Sequence, residues 1–209
     1  MPEHPSRRQL GPLGTELAEC LSRASALIFD CDGTLVDSAP NYGESWAAGF
    51  LLSGREMARD WYRARAGLSE HVLLDAFERD HGLRLDRQAV VARMRAAYLA
   101  SITRVKVHEG VARLARSNQG RVPMAVASGG PRAIVMPTLR ACGLDTLFEA
   151  IVTLDDVGRA KPDPALFLEA ARRLNVPPEL CLAFEDSEQG LRAARSAGMP
   201  VVDVQDLLE

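Results

Sequence analysis

Five short apolar runs that do not alternate with polar residues recur along the chain: Ala24 to Phe29, "PMAVAS" (123 to 128), "EAIVTL" (149 to 154), "LCLAF" (180 to 184) and "PVVDV" (200 to 204). A strand with one face in water alternates apolar and polar residues, whereas a strand covered on both faces need not, so these runs predict a parallel sheet. The segments between them have helical spacing. "PRAIVMPTLRACG" carries apolar residues at 133, 134, 135, 136, 139 and 142 and closes on Gly143, and Pro137 is expected to bend or shorten it. "DPALFLEAARRLN" opens with Asp163 as N-cap and Pro164 at the first helical position, and "SEQGLRAARSAG" runs from a cap-type Ser187 to Gly198. Strand alternating with helix predicts an α/β fold, a doubly wound parallel sheet.

Residues 40 to 104 break that rhythm. "YGESWAAGFLLS", "EMARDWYRARAG", "SEHVLLDAFERDHG" and "RQAVVARMRAAYLASI" have helical spacing, and no strand is expected among them. The chain therefore divides into an α/β core domain (1–39 and 105–209) and an inserted helical cap (40–104), with Trp46 and Trp61 in the cap's own core. Such a cap is expected to swing about its two linkers, near Pro40 and Arg104. Residues 1–14, rich in Pro and Gly, read as a loose leader.

Composition narrows the possibilities. With 25 basic and 28 acidic residues the net charge is only -3, which argues against wholesale nucleic-acid binding. The absence of a long apolar span or a secretory leader predicts a soluble, cytoplasmic protein away from membranes. Cys20, Cys31, Cys142 and Cys181 are widely spaced, as expected for independent thiols in a reducing compartment. Cys31 sits among aspartates, which raise a thiol's pKa and blunt it as a nucleophile.

The polar residues that matter follow the apolar runs. Beyond the carboxyl ends of parallel strands lies the crevice where such sheets bind ligands. Asp30 and Asp32 follow the first run, Ser128 with Gly129 and Gly130 the second, and Glu185 with Asp186 the fourth, while Lys161 stands in the loop "DDVGRAKPDP". Each alone has an ordinary explanation as a helix cap, a turn or a solvated lysine. Together they do not, because acids, a hydroxyl beside glycines and a lysine all meet one sheet edge. Crowded carboxylates push a proton onto one of their number unless a cation is present, and oxygen ligands of this kind suit Mg²⁺. "DCDG" does not open an EF-hand, since Thr34, Leu35 and Asn41 occupy the fifth, sixth and twelfth positions that such a loop assigns to an acid or amide, Gly and Glu.

"FDCDGTLVDS", "VASGG", the Lys of "AKPDP" and "FEDSEQG", in that order, resemble the four motifs of the haloacid dehalogenase-like hydrolase superfamily. The insert after the first motif resembles the cap of its β-phosphoglucomutase and sugar-phosphatase-like branch. This resemblance implies that Asp30 attacks phosphorus to form an aspartyl-phosphate and that Asp32 acts as acid and base. It also implies Mg²⁺ bound by Asp30, the backbone carbonyl of Asp32, Asp186 and Glu185. Ser128, Gly129 and Lys161 would hold the phosphate. Gly33 and Thr34 complete the first loop with amide and hydroxyl roles, while Asp37 and Ser38, at the cap hinge, are expected to make local caps.

Asp32 points to phosphate rather than halide chemistry, because a departing halide needs no proton. Mutases of the branch carry a His where this chain has Tyr42, and an Arg where an approximate alignment puts Glu70. Hydrolysis of a small phosphorylated metabolite, a sugar phosphate, is therefore the first expectation, a phosphomutase the second, and a non-catalytic binding protein the third. Arg63, Arg65, Glu70 and His71 are the cap residues expected to sort substrates, and one cap over one sheet makes a monomer sufficient.

Overall fold

The computed structural model describes residues 12–207. Helix α1 (Pro12–Arg23) leads into β1 (Ala26–Phe29) and a short β2 (Val36–Asp37). Helices α2 (Ala39–Phe50), α3 (Arg59–Arg63), α4 (Glu70–His81) and α5 (Arg87–Ala100) follow, and then β3 (Lys106–Val107). The rest alternates: α6 (Glu109–Asn118), β4 (Met124–Ala127), α7 (Arg132–Ala141), β5 (Ala150–Val152), α8 (Leu154–Val157), α9 (Ala165–Leu174), β6 (Cys181–Glu185), α10 (Glu188–Ser196) and β7 (Val201–Asp203). None of these helices is long and apolar enough to cross a membrane.

Each of the five apolar runs holds one strand of a parallel sheet in the order β5-β4-β1-β6-β7. Period-two alternation divides these strands between two cores. Leu27, Phe29, Met124, Val126, Leu182 and Phe184 face α6 and α7, where Val111, Ala115, Ile134 and Leu139 are buried. Ala26, Ile28, Ala125, Ala127 and Ala183 face α9 and α10, which answer with Phe167, Ala170, Ala193 and Ala194. Small residues on both sides of this second layer let the helices pack closely on the sheet. Phe29 and Phe184, the residues just before Asp30 and Glu185, stack 4.7 Å apart at 9°, worth about 1 kcal/mol beyond the area they bury.

Several local expectations are corrected. Of the expected leader, residues 1–11 lie outside the described residues, while Pro12 to Gly14 open α1. Pro137 lies inside α7 without cutting it short, and Thr138 Oγ1 donates to the Ile134 carbonyl in the same stretch. Helix α9 starts one residue late, with Pro164 as N-cap and the Asp163 carboxylate accepting from the Ala165 amide. The strand expected at 149 to 154 ends at Val152, because Leu154 begins α8.

Helices α2 to α5 gather a third apolar cluster around Trp46, Phe50, Leu73, Phe77, Val90 and Met94, with Trp61 half-buried against it. The two linkers to this cluster are tied together. Val36 pairs with Val107 and Asp37 with Lys106 in an antiparallel ribbon. Above it Asn41 Nδ2 donates to Ser101, and Arg104 meets Glu44 at 2.6 Å. Tyr98, at the end of α5, is fully buried in the sheet's core with its hydroxyl 3.2 Å from that of Thr138.

Asp156 locks the loop after β5. Its carboxylate accepts from the Thr153 amide and hydroxyl, from Arg132 of α7 and from Arg173 of α9, each at 2.8 Å. Burial alone would raise its pKa, but Arg173, Thr153 and Arg132 outweigh burial and hold it below the ordinary 3.8. A carboxylate depressed by folding stabilises the protein above its unfolded pKa and loses that contribution as pH falls below it. We expect Asp156→Asn to cost about 1–3 kcal/mol at pH 7. In thermal melts the gap to the parent should begin to narrow below about pH 4 and go on narrowing as pH falls toward the depressed folded pKa, and a pH-independent gap would contradict this.

Candidate active site

Register builds the site. Phe29 of β1 pairs with Val126 of β4 and Phe184 of β6, so one step further along the strands Asp30 stands beside Glu185 and near Ser128. The Asp30 amide donates to the Phe184 carbonyl, which keeps β1 and β6 paired up to the point where the carboxylates begin. Asp30 is 5% exposed, Glu185 1% and Ser128 fully buried.

Lys161 reaches in from the loop before α9 and bridges two acids, with Nζ 2.5 Å from Asp30 Oδ1 and 2.5 Å from Glu185 Oε2. Burial alone would depress this ammonium, but the two carboxylates outweigh burial and raise it, so Lys161 is a fixed cation. Asp186 completes the cluster, its Oδ1 accepting from Thr34 Oγ1 at 3.1 Å. Asp30, Glu185 and Asp186 can each offer one oxygen, all within 4.8 Å of one another.

One lysine does not neutralise this set. Burial first, and Glu185 next, push the Asp30 carboxyl well above the usual carboxylate range, and the same two causes push Asp186 up to about 6. Glu185 goes the other way, because Lys161 outweighs its burial. The surplus negative charge would be met by a proton or by a hard divalent cation, and three converging carboxylates fit Mg²⁺ or Ca²⁺. The Asp32 side chain is not part of that set.

Asp32 belongs to a tight loop in which the Gly33 amide donates to the Val36 carbonyl. Gly33 has φ +93°, and a Cβ there would sit 2.2 Å from Asp186 Oδ2, so both backbone and space demand glycine. Burial raises the Asp32 pKa, opposed by a hydrogen bond from Ser38 Oγ at 2.6 Å. Here an expectation is overturned: Ser38 stands at the N-cap of α2, but its hydroxyl turns to the Asp32 carboxylate and makes no cap bond. A cap bond would use Ser38 Oγ as acceptor while the Asp32 bond uses it as donor, so it is the hydroxyl's orientation toward Asp32, and not a contest for one proton, that keeps it from the first turn.

The Ser128 hydroxyl accepts from the Gly130 amide at 3.1 Å, leaving its own proton to donate. Gly129 borders open space, whereas a Cβ at Gly130 would press on Val135 at 3.0 Å and come within 3.5 Å of Asp32 Oδ2. Cys31 is fully buried and its thiol is raised, by burial first and then by Asp32 and Asp30.

The cap candidates make their hydrogen bonds within the cap. Arg63 is exposed and meets Asp60 at 3.3 Å, and Arg65 lies over the Trp61 ring and meets Asp80 at 3.0 Å. Glu70 is held by Arg95 at 2.8 Å, and His71 Nδ1 lies 3.1 Å from Ser69 Oγ. Tyr42, absent from the candidates, rests against Tyr98 with ring centres 4.5 Å apart, and its hydroxyl pKa is raised by burial and then by Asp32. Ser38, Ser187 and Gly190 also stand at the site, although the sequence marks them only as helix-end or motif residues, and Gly130 lies there beside Ser128 as expected.

Comparison with other proteins places the chain in a family. The sequence pattern of haloacid dehalogenase-like hydrolases matches residues 24–198. Fructose-1-phosphate phosphatase YqaB of Escherichia coli K12 is 34% identical over 187 residues, covering 88% of this chain and 97% of that protein. A phosphorylated carbohydrates phosphatase of Thermotoga maritima is 32% identical over 83% of this chain and 82% of its own. The crystal structure of CbbY from Rhodobacter sphaeroides, in complex with phosphate, superposes with a TM-score of 0.76 at 26% identity, covering 85% and 84% of the two chains. With a parallel sheet carrying these four loops on one edge, the chain belongs to the haloacid dehalogenase-like hydrolase family.

Proposed function

We propose that the protein is a Mg²⁺-dependent phosphatase that hydrolyses a small sugar phosphate through an aspartyl-phosphate on Asp30, as a cytoplasmic monomer. Membership of the family and its named phosphatase relatives make it a phosphomonoester hydrolase. The observation that carries the finer reading is Lys161 bridging Asp30 and Glu185 beside Asp186, an arrangement that brings a carboxylate nucleophile and fixed positive charge together.

In this reading Asp30 attacks phosphorus, the ester P–O bond breaks, and the leaving oxygen takes a proton from Asp32, which burial makes a better proton holder than a free carboxyl. Water then attacks the phosphoryl group, Asp32 recovers a proton from it, and phosphate leaves as Asp30 is regenerated. Lys161, the Ser128 hydroxyl and the Gly129 amide hold the phosphoryl oxygens. A divalent cation bound by Asp30, Glu185 and Asp186, with the Asp32 carbonyl, supplies positive charge that lets a phosphate approach a carboxylate.

Two observations favour hydrolysis over transfer to a second hydroxyl. Tyr42 packs against Tyr98 where a mutase of the branch has His, and Glu70, where an approximate alignment puts the mutases' Arg, is an acid held by Arg95. The relatives named as phosphatases of fructose 1-phosphate and of 6-phosphogluconate support a sugar phosphate as substrate.

The test is phosphate release from a panel of phosphorylated sugars, nucleotides and phosphoglycolate, with Mg²⁺ and with EDTA. We expect sugar phosphates to be fastest, and EDTA to reduce release to background until Mg²⁺ is restored. Turnover indifferent to EDTA would remove the metal, isomerisation without net phosphate release would turn the reading to a mutase, and faster nucleotide or phosphoglycolate hydrolysis would overturn the substrate class.

A further inference from the structure

We infer that Gly190 is a positioning residue for Glu185: the space left by its missing side chain is where the Glu185 carboxylate lies. The inference rests on the metal-site reading above. Gly190 is the third residue of α10 and is buried, and it is not among the glycines with positive φ. Its backbone therefore does not call for glycine, which weakens a helix interior relative to alanine. Space is what calls for it. A Cβ built on Gly190 would lie 2.0 Å from the Glu185 carboxyl carbon and 2.1 and 2.4 Å from its two oxygens. These are the end atoms of the Glu185 side chain, but that end is buried and held by Lys161, Ser187 and the amides of residues 186 and 187, so it cannot swing away without breaking those bonds.

The bonding around that space is continuous. The Gly190 amide donates to Ser187 Oγ at 3.1 Å, and Ser187 Oγ donates to Glu185 Oε1 at 2.8 Å. The amides of Asp186 and Ser187 donate to the same oxygen at 3.1 and 3.0 Å. Oε1 is thereby committed to the first turn of α10, and Oε2 is left facing Lys161 and the other two carboxylates. Folding the carboxylate back over its own following helix is possible only where residue 190 has no side chain. A methyl there would drive Glu185 out, removing one of three metal carboxylates and one of the two partners of Lys161.

Three full-length variants test this: Gly190→Ala, Glu185→Ala and the double substitution, with Gly190→Ala/Glu185→Asp as the conservative rescue. In an unperturbed helix Gly190→Ala would raise the melting temperature; we expect it to fall by about 5 °C without added metal. In the Glu185→Ala background the same substitution should cost nothing or stabilise. By calorimetry the Mg²⁺ dissociation constant should rise about 10–100-fold in Gly190→Ala, and shortening residue 185 to Asp should recover part of that loss. An equal loss of melting temperature in both backgrounds would overturn the inference, as would Mg²⁺ affinity within about two-fold of the parent. Should Gly190→Ala fail to fold, a folded double variant with Glu185→Ala supports the assignment and an unfolded one overturns it. If the parent neither binds Mg²⁺ nor releases phosphate, the functional reading falls, while the metal-free melting cycle still decides the role of Gly190.

Discussion

Asp30→Asn should abolish phosphate release, by at least about three orders of magnitude, with almost no loss of fold. The two halves of this expectation have separate causes. Burial and Glu185 push the Asp30 carboxyl well above the usual carboxylate range, so its charge is costly to keep there, and an amide of the same shape removes that charge while its oxygen can still accept from Lys161. Lys161 keeps its second anchor at Glu185. An amide, however, has no carboxylate oxygen to give to phosphorus. Acid-quenched turnover followed by peptide mass spectrometry should show a phosphoryl adduct on residue 30 in the parent and none in the variant. A folded Asp30→Asn protein retaining a tenth of the parent rate would contradict the mechanism.

Lys161→Met should damage both rate and stability. Its side chain is 10% exposed and touches two carboxylates that are themselves buried. Losing one fixed cation from a phosphoryl-binding site costs about 10²–10³ in rate. Leaving buried carboxylates uncompensated costs about 3–5 kcal/mol, a fall of roughly 10 °C in melting temperature at neutral pH. The pH dependence has a definite sign. In the parent, Lys161 holds Glu185 below its ordinary value, a contribution present above the unfolded pKa and lost as pH falls. In the variant the stranded acids are raised, so their penalty is absent at low pH and grows as pH rises. The second effect widens the gap between the two proteins from pH 5 to pH 8, and the first, already complete above the unfolded value of 4.5, adds to the narrowing only below that pH. A gap constant over that range would mean that Lys161 is not the counter-charge of this cluster.

The loops of the site were legible because their signal is local. Asp30, Ser128 and Glu185 each stand at or just past the end of an apolar run, and a parallel sheet leaves such residues on one edge whatever else the chain does. Lys161 was legible only in company with them. The cap was harder to read: Arg65 and Glu70 looked available for substrate, but Asp80 and Arg95, which hold them, lie 15 and 25 residues away in the chain. Ser38 was expected to cap a helix because its neighbours in sequence suggest nothing else, and its actual acceptor, Asp32, is chosen by the fold of the intervening loop.

By itself, the sequence determined the alternation of strand and helix, the helical insert, and which residue types stand at the strand ends, since all of these follow from periodicities of a few residues. The tertiary structure alone decided that Lys161 would bridge Asp30 to Glu185, 131 and 24 residues away, and that a carboxylate would occupy the place of a side chain at Gly190. Hydrogen bonds and steric exclusion act over about 3 Å, and a distance that short between remote residues is set only when register and packing bring their backbones together.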